Sequence, residues 1–223
     1  MKKLALLFLL LPVLALAAGC HHGMFPQLKG SGKRVVEKRN ITPFTSISTE
    51  GAFDIEVTCQ KDLGLEVEGD DNVLSVVTAE VSNNVLRLRN TKNYSTSEPV
   101  KFRISVPKLE GLSVKGAGHI DVKGLSNDKF AIDSEGAPTI NVAGNTKVIN
   151  IDSSGAGKID SHNLHASRAV VDSKGVAQIE LDVADQLDVT ISGPSSVYYK
   201  GDPVVNKTIN GPGKVERRGG EGA

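Results

Sequence analysis

From Leu112 onward the chain repeats itself about every nineteen residues, and that interval narrows the folds open to it more than any other feature. Six windows align: Gly116-Ala117-Gly118-His119-Ile120-Asp121-Val122, Gly136-Ala137-Pro138-Thr139-Ile140-Asn141-Val142, Gly155-Ala156-Gly157-Lys158-Ile159-Asp160-Ser161, Gly175-Val176-Ala177-Gln178-Ile179-Glu180-Leu181, Gly193-Pro194-Ser195-Ser196-Val197-Tyr198-Tyr199 and Gly211-Pro212-Gly213-Lys214-Val215-Glu216-Arg217. Their leading glycines step by 20, 19, 20, 18 and 18 residues. Such a unit is too short for a propeller blade or a helix pair, and it lacks a leucine-rich pattern. It suits one coil of a parallel β-helix, in which short strands separated by bends complete one turn. Coils stacked at the inter-strand spacing of roughly 4.8 Å would make a rod of about 25–30 Å.

Stacking places like positions above one another. Ile120, Ile140, Ile159, Ile179, Val197 and Val215 are expected to form one interior ladder, and Leu112, Ile132, Ile151, Val171 and Val189 a second. Period-two alternation turns Val122, Val142 and Leu181 inward as well. The leading glycines Gly116, Gly136, Gly155, Gly175, Gly193 and Gly211 fall between strands, at a corner that needs positive φ or no side chain. Composition agrees: 23 glycines, no tryptophan, nine aromatics, and no long stretch with a 3.6-residue apolar period make an all-β chain.

Residues 40–110 alternate without the repeat, as in Phe53-Asp54-Ile55-Glu56-Val57 and Phe102-Arg103-Ile104-Ser105-Val106. They are expected to form a more irregular β-region that caps or extends the first coil, because an open solenoid end exposes apolar surface. Asp70-Asp71-Asn72 could cap a short helix there. Cys59 continues the alternation of its strand and reads as a buried thiol.

Residues 1–19 form a secretory signal peptide: Lys2 and Lys3, an apolar run from Leu4 to Leu16, then Ala17-Ala18-Gly19. Cys20 follows directly, which favours lipidation of its thiol and a membrane anchor. Ordinary cleavage after Ala15-Leu16-Ala17 is the alternative. Residues 20–39 are read as lipid attachment and tether, flexible through about residue 33, residues 111–217 as the coils, and 218–223 as a flexible tail. Without the signal the charge is 24 basic against 26 acidic residues, a net −2, and no basic run remains to argue for nucleic acid.

The segments Asn40-Ile41-Thr42-Pro43-Phe44-Thr45-Ser46-Ile47, Gly51-Ala52-Phe53-Asp54-Ile55-Glu56-Val57 and Pro107-Lys108-Leu109-Glu110-Gly111-Leu112-Ser113-Val114-Lys115-Gly116-Ala117-Gly118 resemble the head GIN domain family, described as a putative auto-transporter adhesin of otherwise unknown function. The resemblance spans about residues 38–217. It implies a bacterial envelope lipoprotein with a right-handed β-helical fold, and it carries no catalytic residues over to this chain.

Two outward columns carry the candidate chemistry. One runs Asp121, Asn141, Asp160, Glu180 and Glu216, with Tyr198 interrupting; the other runs Asp133, Asp152 and Asp172. Stacked carboxylates roughly 5 Å apart repel. The expected offset is a solvated face with lysine counter-charges such as Lys158 and Lys174, rather than calcium, since the glycine-rich calcium-binding nonapeptide is absent. His119, His162 and His165 do not share a repeat position, and His21-His22 fall on the tether, so no metal or cofactor is expected. Gly30-Ser31-Gly32-Lys33 and Gly155-Ala156-Gly157-Lys158 lack the rest of a phosphate loop and read as turns. The expectation is a non-catalytic envelope scaffold without metal or cofactor, held in the outer membrane by Cys20 and binding a protein or polysaccharide partner. The alternatives are a carbohydrate-active β-helix enzyme (lyase or hydrolase) and a periplasmic assembly or sensor component.

Overall fold

The computed structural model describes residues 27–218. The signal segment, Cys20, His21 and His22 lie outside the described residues, as does the chain from residue 219. The described residues are all-β, 72% strand against 2% helix, with an open sheet rather than a barrel. Twelve strands share that sheet, and Leu28–Lys29 and Tyr94–Ser95 form a separate parallel pair.

Pairing across the repeats is parallel throughout. The 43-residue strand Gly111–Ser153 covers two repeats and pairs with Lys158–Ser173, which pairs in turn with Gln178–Ser192. Ser196–Lys200 and Val204–Asn210 continue from there, and Lys214–Arg217 is the last strand. The register joins equivalent positions: Ile140 to Ile159, Ile159 to Ile179, Ile179 to Val197, and Val197 to Val215. The second ladder joins Ile151 to Val171 and Val171 to Val189. The isoleucines at 120, 140, 159 and 179 are each at most 1% exposed. Truncating such a residue typically costs about 2–5 kcal/mol.

The register also runs on toward the N-terminus. Ser46 to Thr58 pair one for one, in parallel, with Gly111 to Lys123, so that Gly51 lies on Gly116 and Ile55 on Ile120. Beyond this strand the sheet becomes mixed. Val100–Val106 and Val85–Asn90 pair with it in parallel, whereas Gly64–Asp70, Arg34–Lys38 and Val77–Ser82 join antiparallel. Here Phe53 and Phe102 meet edge-to-face with ring centroids 5.2 Å apart. Cys59 is buried among the core residues, which pushes its thiol up to about 11.

The corner glycines are held by backbone proximity more than by φ. Gly116 and Gly136 have φ of +125° and +109°, but Gly155 and Gly175 are not in that left-handed range. A Cβ on Gly155 would lie 1.9 Å from the Gly136 carbonyl oxygen, and one on Gly175 would lie 1.9 Å from that of Gly155. Those same carbonyls accept hydrogen bonds from Ala156 (2.6 Å) and Val176 (2.9 Å), so the turns are bonded to one another as the strands are. A side chain at Gly116, Gly136, Gly155, Gly175 or Gly193 must push two turns apart, whereas at Gly211 the nearest atom is 3.5 Å away and the φ of +127° disfavours it instead.

Two segments are more ordered than the sequence suggested. Leu28 to Lys33, expected as tether, are fixed in place: Leu28 N–H donates to Asn93 O (3.0 Å), Gly30 N–H to Ser95 O (2.8 Å), and Gly32 N–H to the Asp70 carboxylate (3.0 Å). That carboxylate therefore does not cap the short helix Asp71–Leu74 that follows it. Arg218, expected in a fraying tail, donates its N–H to Tyr199 O at 2.8 Å.

Gly155→Ala is expected to lower stability by about 1–3 kcal/mol through forced separation of the turns. Ala156→Ser, an exposed neighbour, should stay within about 0.5 kcal/mol. Urea denaturation of both variants checks this.

Candidate functional site

The first outward column exists as a stack. Asn141 and Glu180 flank Asp160 in register, and Glu180 is followed by Tyr198 and Glu216. Each carboxylate has a neighbour that offsets it. Asn141 donates its amide N–H to Asp121 Oδ1 at 2.8 Å, and His119 Nε2 lies 3.2 Å from Oδ2 of the same residue. Lys158 Nζ sits between two repeats, 3.3 Å from Asp160 and 3.6 Å from Glu180. The other oxygen of Glu180 takes an N–H from Arg218 at 2.7 Å. Tyr198, which breaks the acidic column, lies beneath cations instead: Arg218 is 4.0 Å and Lys214 5.0 Å from its ring centre. Lys214 also bonds Glu216 at 3.0 Å.

The second column behaves likewise. Asp152 and Asp172 pair in register, and Lys174 reaches both, at 3.9 and 3.4 Å. Ser113 Oγ donates to Asp133 at 3.4 Å. Lysines 158 and 174 thus lie where the sequence suggested counter-charges would be needed.

The histidines do not converge. His119 faces Asp121, His165 faces Asp182 at 3.5 Å, and His162 bonds Asp160. One mixed group does form: Asp160, His162 and Glu180 bring ligand-type atoms within 4.8 Å of one another. Lys158 and Arg218 already neutralise its two carboxylates, so the cations this group faces are the protein's own. Burial raises the Asp160 carboxyl, yet the hydrogen bonds from His162 and Lys158 outweigh it and hold the group below its ordinary value. The turn Gly155–Gly157 has no room for a phosphate. A Cβ on Gly157 would lie 2.6 Å from the Pro138 carbonyl oxygen, so the preceding turn fills that space.

A polar cluster absent from the sequence reading surrounds Asp188. Arg168 donates to it at 2.7 Å, Asn206 at 2.8 Å, and the Gln186 amide lies 2.9 and 3.0 Å from its two oxygens. The Asn206, Arg168 and Gln186 bonds lower its carboxyl to about 2. The residues above and below it in register are Val170 and Asn206, so no acidic column marked the position.

These observations describe a charged surface that is internally paired along a parallel stack. The family model of the putative auto-transporter adhesin, head GIN domain, matches residues 43–203. The chain belongs to this family. Solved structures similar to this head GIN domain include a putative adhesin from Bacteroides fragilis NCTC 9343, 24% identical, with a TM-score of 0.70, covering 86% of this chain and 100% of that one. A putative lipid binding protein from Parabacteroides distasonis ATCC 8503 is 18% identical with a TM-score of 0.55 (87% and 100% covered). A putative adhesin from Parabacteroides merdae ATCC 43184 is 20% identical with a TM-score of 0.54 (86% and 99% covered). These likenesses carry the fold alone. No curated protein matches the chain. Among the described residues no helix is long and apolar enough to cross a membrane.

Asp188 gives a pH prediction. Its carboxyl is lower in the folded than in the unfolded chain, so its contribution to stability is complete above the ordinary carboxylate value near 4 and is lost as pH falls toward about 2. Melting curves from pH 5 to pH 2 should fall less steeply for Asp188→Asn than for the wild type.

Proposed function

We propose that this chain is a non-catalytic, envelope-anchored scaffold whose repeats, residues 111–217, wind as a right-handed parallel β-helix and present a partner-binding surface. The observation that carries this is the pairing of the outward charges. Along the stack Asp121, Asp160, Glu180, Asp152 and Asp172 each meet an amide, an imidazole, a lysine or an arginine of the same or a neighbouring repeat. Catalytic acids and bases are instead convergent and left available to a substrate. Parallel registers that step by 17–20 residues support the helical winding, and the adhesin description of the family supports a binding role. Residues 1–39 would then deliver and anchor the scaffold: 1–19 as signal, Cys20 as the lipidated residue, and the segment after it as a lead into the region 40–110 that covers the first repeat. Outer-membrane retention fits His21 after Cys20 in place of an aspartate.

The test is to express the full chain and Cys20→Ser in a bacterial host fed an alkyne-tagged fatty acid. The wild type should take up the label and sediment with membranes, and the variant should do neither. An unlabelled, soluble wild type cleaved after Ala17 would sink the anchor. Release of reducing or unsaturated ends from a polysaccharide panel by the purified protein would sink the non-catalytic reading.

A further inference from the structure

A cleft of about 700 Å³ opens beside Gly51 at the N-terminal side of the stack, and neither the charged columns nor the repeat accounts for it. Its walls include Gln27, Asn90, Asn93, Tyr94, Thr96 and Ser97, and every described residue lining it is uncharged. That is unlike the flat faces of this molecule, where carboxylates and cations alternate. The cleft is also firmly built. Leu28–Lys29 pairs in parallel with Tyr94–Ser95, and Gln27 donates a side-chain N–H to Tyr94 O at 2.8 Å. Asn90 donates one to Lys92 O at 3.0 Å. Each bond fixes an amide plane and so the direction in which its oxygen points. Gly30, next along the same wall, has no space for a side chain: a Cβ there would lie 2.0 Å from an Asp70 oxygen and 2.9 Å from the Thr96 methyl.

The lining selects a ligand class. Arg34, 3.4 Å from the Pro99 carbonyl oxygen, is already paired with Glu68 and Glu98, so the described wall offers a phosphate, carboxylate or ammonium no free counter-charge. Amides and hydroxyls offer donors and acceptors side by side, which matches the adjacent hydroxyls of a sugar ring. Tyr94 is half-buried against the core, giving a wall with an apolar face and a polar tip. Burial raises its phenol, so the hydroxyl stays a neutral donor. The volume lies within the range of about 300–1,000 Å³ usual for small-ligand sites.

The geometry points to this cleft as a binding site for an uncharged glycan segment, with Tyr94 as the stacking wall and Gln27, Asn90 and Asn93 as the groups that read its hydroxyls. This rests on the partner-binding part of the function proposed above and names the partner's chemistry.

Ligand-observed NMR and calorimetry on the purified mature chain test it. The probes are uncharged tri- and tetrasaccharides of glucose, galactose, mannose and N-acetylglucosamine, with oligogalacturonates and an uncharged decapeptide beside them. At least one uncharged saccharide should bind with a Kd below about 1 mM. Tyr94→Ala should weaken that binding at least about tenfold, equivalent to about 1.4 kcal/mol, while Tyr94→Phe changes it less than about threefold. Asn93→Asp, which leaves the wall intact and adds a charge, should weaken it also. The proposal is overturned if no uncharged saccharide binds at about 10 mM, if the oligogalacturonate or the decapeptide binds better, or if Tyr94→Ala and Asn93→Asp leave affinity unchanged. Loss of saccharide binding by a chain that still takes up lipid on Cys20 defeats the cleft alone. Saccharide binding by a wild-type chain that takes up no fatty-acid label in the bacterial host defeats the anchor alone.

Discussion

At the glycine corner one turn's carbonyl oxygen occupies the place where the next turn's Cβ would be, about 2 Å from it at Gly136, Gly155 and Gly175. That approach is what lets the turns, as well as the strands, hydrogen-bond to their predecessors. Once turns and strands advance by the same distance, equivalent residues have to lie over one another. The interior ladders and the outward columns both follow from that one spacing. Corner φ varies from one repeat to the next, whereas the crowding recurs from Gly116 to Gly193, so contact between backbones accounts for glycine there; at Gly211 the space is open and a φ of +127° accounts for it.

A stack with this geometry creates an electrostatic difficulty on its outer face. Like side chains recur at strand spacing, and carboxylates at that distance repel. The chain relieves this by alternation. Lys158 is placed in one repeat and serves two, Lys174 does the same on the other column, and Tyr198 interrupts the acidic run under Arg218 and Lys214. Individually such half-exposed pairs contribute little to stability, on the order of 0–1 kcal/mol. Their collective effect is on charge: the acids of each column are offset from one repeat to the next.

The two ends of the stack differ. Toward the N-terminus the register passes into Ser46–Cys59, and antiparallel strands with a short helix cover it. Toward the C-terminus the second interior ladder ends on Lys207, opposite Val189, and Arg217 lies opposite Tyr199. Basic residues where apolar ones are expected keep the last described strands from presenting a wholly apolar surface, a known way of protecting sheet edges.

The sequence alone determined the repeat, its parallel stacking partners and the buried ladders, because a fixed period of residues forces a fixed vertical neighbour whatever the side chains are. It also located the two acidic columns and the lysines that offset them, since those lie at fixed offsets from the glycines. Only the tertiary structure decided what has no period. Asp188 gathers Arg168, Gln186 and Asn206 from three repeats at a column that is not acidic elsewhere. Residues 28–33, glycine-rich and polar, look unconstrained until Asn93, Ser95 and Asp70 are found holding their backbone. Arg218 is fixed by Tyr199 and Glu180, a partner 38 residues away. The uncharged cleft joins Gln27 to Asn90–Ser97 in the same way. Each depends on contacts between distant segments, and hydrophobic period and turn chemistry report only on neighbours along the chain or along the repeat.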